Sequence, residues 1–109
     1  TLDHMKTATS PNGRDKNFTG APLKILDMLA VSDGVCLATR TAVHTAASVK
    51  KTKRMIKLAF ENSLANKGTS IVEVVSTCNM GWKMTPQAAN DWMEANMFPV
   101  YPLGDLKNI

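Results

Sequence analysis

The sequence predicts an α/β protein: a partial, doubly wound parallel sheet with two main parallel strands and a crossover helix. Three observations point there. Residues 35–39 (Val-Cys-Leu-Ala-Thr) and 69–77 form β-prone runs too short for buried helices. Between them, residues 49–66 carry Met55, Ile56, Ala59 and Phe60 at helical spacing, with basic residues on the other side. Two strands joined by such a helix are parallel, and the crossover is right-handed.

Residues 1–20 hold no periodic pattern. Thr7, Thr9, Ser10, Pro11, Asn12, Gly13, Asp15, Asn17, Thr19 and Gly20 mark an arm or loop. A long structureless stretch without an initiator Met reads as a segment cut from a larger context. Pro22 suits the first turn of a helix running to Val31, with Leu23, Leu26, Leu29 and Ala30 on one side. Ser32, Asp33 and Gly34 end it. Arg40 closes the first strand, and 41–47 is a connecting loop containing His44.

Ser48 is a suitable N-cap for the long helix, and Gly68 a suitable left-handed stop. In the strand 69–77, Ile71, Val72, Val74 and Val75 surround Glu73. Thr85 and Pro86 open a third helix, to Asn96, by the N-cap and first-turn rule; Ala88, Ala89, Trp92 and Met93 are its apolar positions. Residues 98–103 form an extended tail, because Pro99 and Pro102 disfavour helix before them. A two-stranded parallel sheet rarely suffices alone, so further strands belong beside these.

The chain has 109 residues, 44% hydrophobic and 20% charged, a globular composition of one-domain size. Its net charge of +4 raises the question of nucleic acid. Six of the thirteen basic residues, Lys50, Lys51, Lys53, Arg54, Lys57 and Lys67, lie on or beside the long helix, where a solvated face explains them. Aromatic residues do not interleave with them as in a stacking platform, and no nucleic-acid signature occurs. Two cysteines make no disulfide framework. No signal peptide or membrane-spanning run is present, which makes a cytoplasmic setting the default.

Cys78 is the first candidate for chemistry. It stands where a strand gives way to a loop, at the sheet end where open α/β folds gather binding and redox groups, and Gly81 lets backbone approach closely there. A thiolate at such a place suits a metal or iron–sulfur ligand, but one thiol cannot hold a cluster. Cys36 lies inside a strand, where an inert buried Cys is ordinary. His4 and His44 form no HxxH or HExxH spacing. Glu73, in an apolar strand, either pairs with Arg40 or a lysine or faces a cleft, and pairing suits it better. Trp82 and Trp92 are core or interface anchors. No GxSxG, P-loop or GxGxxG motif occurs.

With these residues placed, the sequence resembles the carboxyl-terminal part of the thiamine diphosphate-binding β subunit of 2-oxoacid:ferredoxin oxidoreductases. The matching stretches are Thr7-Ala8-Thr9-Ser10-Pro11-Asn12-Gly13-Arg14-Asp15, Ala42-Val43-His44, Lys57-Leu58-Ala59-Phe60-Glu61 and Val72-Glu73-Val74-Val75-Ser76-Thr77-Cys78. Asn96-Met97 and Tyr101-Pro102-Leu103-Gly104 add to them. The pattern is similar to the 2-oxoisovalerate and 2-oxoglutarate types. The resemblance implies a division into an arm or loop, 1–20, and the carboxyl-terminal part of a thiamine diphosphate-binding domain, 21–109.

The resemblance further implies oxidative decarboxylation of a 2-oxo acid, branched-chain favoured, to acyl-CoA with reduction of ferredoxin. The implied cofactors of the intact enzyme are thiamine diphosphate, Mg2+ and [4Fe–4S], with Cys78 as a cluster ligand. The implied partners are the α subunit, the other subunits, ferredoxin and coenzyme A, with no nucleic acid and no membrane. The family places Pro directly after this Cys, where this chain has Asn79. No GDG segment for the magnesium–diphosphate anchor and no CxxC pair occurs in 1–109. These residues alone are therefore expected to be inactive, to bind no cofactor, to contribute no catalytic residue and to self-associate. The rival reading is a stand-alone α/β interaction module whose basic helix 49–66 docks an acidic partner.

Overall fold

A computed structural model describes all 109 residues. The chain divides into two compact units: residues 24–76 with 101–109, and residues 1–23 with 77–100.

The first unit is built on a three-stranded sheet. Its elements are α2 (Ile25–Ala30), β1 (Val35–Ala42), α3 (Ala46–Leu64), β2 (Thr69–Val75) and β3 (Gly104–Asn108), following α1 (Lys16–Thr19) of the other unit. The strand order is β2-β1-β3. β1 and β2 are parallel, joined by α3, as the sequence predicts. β3 runs antiparallel to β1, pairing Leu37 with Asn108 and Arg40 with Gly104. The tail expected to be extended over 98–103 instead turns at residues 97–100, where the Val100 amide donates to the Met97 carbonyl at 3.0 Å, and the strand that follows it, not foreseen in the sequence, makes the sheet mixed.

β1 is buried along its whole length, as a central strand covered on both faces must be. It runs to Ala42, so Arg40 lies inside the strand and does not close it. Leu26 and Ala30 of α2 pack with Val35 and Ala38, and Ile71 joins them. Cys36 and Leu37 pack instead with Met55, Leu58, Ala59 and Val72. Two consecutive residues share this cluster because the register slips between Val35 and Leu37, a bulge that interrupts the alternation of faces.

Local rules explain the helix ends, with three corrections. α2 begins at Ile25, three residues after Pro22, with Leu23 and Ile25 exposed. The N-cap of α3 is Thr45, whose Oγ1 accepts from the Ser48 amide at 3.1 Å; Ser48 is already helical. α3 ends at Leu64, and Gly68 does not stop it. Gly68 has φ +133°, and a Cβ there would come within 2.7 Å of the Gly34 carbonyl oxygen, so glycine is needed where the chain enters β2.

The inward side of α3 also differs from the expected one. Ile56 and Phe60 are exposed, while Thr52, Met55 and Asn62 are buried. Thr52 Oγ1 donates to the Ala42 carbonyl at 2.7 Å, and Asn62 Nδ2 donates to Ser70 Oγ at 3.3 Å. Partnered in this way, polar residues occupy core positions at little cost.

The second unit contains α1 and α4 (Pro86–Asn96). Thr85 caps α4, its Oγ1 accepting from the Ala88 amide at 3.2 Å, with Pro86 in the first turn as predicted. Ala89 and Met93 are buried and Ala88 is exposed. Residues 4–14 form a loop closed by main-chain bonds between His4 and Arg14 (2.7 Å) and between Arg14 and Met5 (3.0 Å).

Candidate functional site

Three residues past the end of β2 the chain turns sharply. The Trp82 amide donates to the Cys78 carbonyl at 2.8 Å, and the Met84 amide donates to the Asn79 carbonyl at 2.8 Å. Lys83 takes a left-handed conformation, φ +55°, and its amide donates to the Met80 carbonyl at 3.1 Å. The segment is one helical turn followed by a reversal, which leaves Cys78 exposed as a free thiol at its start.

Gly81 lies over that thiol. A Cβ built on Gly81 would come within 2.8 Å of Cys78 Sγ. The indole of Trp82 meets that of Trp92, with ring centroids 5.0 Å apart and planes tilted by 55°, and so ties the turn to α4.

The same turn forms one wall of a cleft of about 310 Å³. Met80, Gly81, Trp82 and Lys83 face Thr7 and Pro11 across it. Two stretches distant in sequence, both singled out above, thus meet in one unit. Sequence reasoning found each and had no signal for their meeting.

The other predicted residues lie elsewhere. Cys36 is 2% exposed within β1, its Sγ 3.5 Å from Ser70 Oγ. His4 is a surface residue with Nε2 3.2 Å from Asp3 Oδ2. His44 is half-buried between β1 and α3. No three His, Cys, Asp or Glu side chains gather into a metal-binding group. Lys50, Lys51, Lys53, Arg54, Lys57 and Lys67 are all exposed.

Glu73 pairs with Arg40, as its place in an apolar strand suggested. The two are register partners in β1 and β2, and Arg40 Nε donates to Glu73 Oε1 at 2.8 Å. Arg40 also donates to Asp27 Oδ2 at 2.7 Å and to the Pro102 carbonyl at 3.1 Å, and it lies 5.3 Å from the Tyr101 ring centroid. Burial disfavours its charge, but the bonds to Glu73 and Asp27 outweigh this and raise its pKa. The bond from Arg40 in turn lowers the pKa of Asp27. This network joins α2, both parallel strands and the segment leading to β3, which identifies it as structural.

Asp105 of β3 is held in a similar way. Thr39 Oγ1 donates to its carboxylate at 2.6 Å, and Asn108 Nδ2 donates at 3.1 Å. These bonds lower its pKa. No helix is long and apolar enough to cross a membrane.

The chain is similar to the ketoisovalerate oxidoreductase subunit VorA of Methanothermobacter marburgensis, with 28% identity over 108 residues, or 99% of this chain. The subunit of the same name from Methanothermobacter thermautotrophicus is 26% identical over 108 residues. The chain spans 23% of the length of each of these relatives. No family model and no solved structure matches it.

Proposed function

We propose that residues 1–109 are part of a β-type subunit of a 2-oxoacid oxidoreductase and that Cys78 supplies one thiolate to a [4Fe–4S] cluster. Similarity to VorA along the whole chain supports the enzyme class and favours a branched 2-oxo acid as substrate. The observation that carries the site is the free, exposed thiol of Cys78 at a tight turn next to a cleft.

The donor chemistry fits the role. Cys78 is an exposed residue with a free thiol, and its sulfur lies against Gly81 where a larger residue would crowd it. Cys36 does not fit, because its thiol is enclosed in the core with Leu37 and Met55. Three further thiolates have to come from other polypeptide. When bound, such a cluster supplies one-electron transfer. What this chain contributes is the orientation of one ligand, fixed by the main-chain bonds of the turn and by the Trp82–Trp92 contact.

In the proposed reaction the 2-oxo acid loses carbon dioxide. The acyl group passes to the coenzyme A sulfur, whose proton is released, and two electrons leave singly to two oxidised ferredoxins. Thiamine diphosphate and Mg2+ belong to the same proposal, with no residue of this chain assigned to them.

The test is turnover by the assembled complex containing this chain. Coenzyme A-dependent reduction of a one-electron dye with 2-oxoisovalerate is the expected result. No dye reduction with any of 2-oxoisovalerate, 2-oxoglutarate and pyruvate contradicts the reading.

A further inference from the structure

We infer that Gly81 is a positioning residue for the Cys78 thiol: the Cβ it lacks is what lets the sulfur lie against the turn. A glycine can be required for its backbone or for its space. The backbone of Gly81 lies outside the left-handed region, which in this turn is taken by Lys83 at φ +55°. Space is the remaining reason. A Cβ on Gly81 would meet Cys78 Sγ at 2.8 Å, against 3.8 Å to the Cys78 carbonyl oxygen and 3.9 Å to Cys78 Cβ. Non-bonded carbons sit about 3.5–4.0 Å apart, and sulfur is larger than carbon. Only the sulfur is crowded, so a methyl group there displaces the thiol and leaves the backbone path unstrained.

The sulfur yields by rotating about the Cα–Cβ bond to another staggered position away from Gly81, at a residue that is exposed. The rotation re-aims the thiolate without removing it. The clearance stands on geometry alone, while its use in orienting a cluster ligand rests on the function proposed above.

Alkylation of Cys78 by iodoacetamide, followed by peptide mass, reads the thiol directly in this chain. Gly81→Ala is expected to speed it by about three-fold or more, the size of a lost rotamer preference. Gly34→Ala, where an added Cβ meets nothing within 4 Å, is expected to leave the rate unchanged. Equal rates in the native chain and in Gly81→Ala would overturn the inference.

A thermal cycle keeps the test independent of alkylation. The Tm change caused by Gly81→Ala is expected to be less favourable when Cys78 is present than in the Cys78→Ala background, where only the loss of unfolded-state freedom acts. The same Tm change in both backgrounds would overturn it too. In the cluster-bearing protein, Gly81→Ala is expected to shift the g-values of the reduced cluster, and unchanged g-values would contradict the orienting role. Full cluster content in Cys78→Ala would defeat the cluster reading while the alkylation result stands.

Discussion

Arg40 and Glu73 face each other across the parallel pair β1–β2, and the guanidinium Nε donates to the carboxylate at 2.8 Å. The Arg40 side chain is 1% exposed, whereas those of Glu73 and Asp27 are 33% and 43% exposed. The cation is therefore sealed in, and its two anions reach water.

That asymmetry predicts an order of mutational cost. Arg40→Met leaves two carboxylates that solvent can stabilise, and is expected to cost the less of the two. The double substitution Asp27→Asn with Glu73→Gln leaves a buried guanidinium without a counter-ion, and is expected to cost about 3–5 kcal/mol. Urea unfolding of both variants checks the order, and a larger loss for Arg40→Met contradicts it.

Acid should weaken the first unit. Asp27 and Asp105 have folded pKa values below their usual one, so their contribution is present above an unfolded value of about 3.9. It is lost as pH falls through the lower folded values. Tm measured against pH is expected to fall below about pH 4, and Asp27→Asn with Asp105→Asn to flatten that fall.

Gly68→Ala is expected to destabilise by about 1–3 kcal/mol, since it adds strain at φ +133° to a close contact with the Gly34 carbonyl. Gly34→Ala, with nothing near the added Cβ, serves as the control in the same unfolding experiment.

The outer edge of β2 has no strand beside it, and α3 exposes Ile56, Phe60 and Leu64. Both features favour association of copies. Sedimentation velocity is expected to show concentration-dependent association that Phe60→Lys with Val74→Lys abolishes. A native chain that stays monomeric at high concentration contradicts this.

Much of this architecture was legible in the linear pattern. The β-prone runs marked both parallel strands, Thr85–Pro86 marked the start of α4, and an acid within an apolar strand pointed to pairing with Arg40 or a lysine. The third strand was not legible. Gly104-Asp105-Leu106-Lys107-Asn108 has no β-branched residue, and only pairing with β1 makes it a strand. The inward face of α3 is not legible in the pattern, because Ile56 and Phe60 look like core while Thr52 and Asn62 enter the core through bonds to Ala42 and Ser70. At the site, position alone singled out Cys78. The clearance at Gly81 and the meeting with residues 7–11 depend on distances that no spacing rule encodes.

The proposed role of Cys78 as a cluster ligand is tested by the iron content and EPR spectrum of the intact subunit bearing Cys78→Ala. Loss of the [4Fe–4S] signal of that cluster is expected, with thiamine diphosphate binding largely retained. A full iron count with an unchanged spectrum would contradict it.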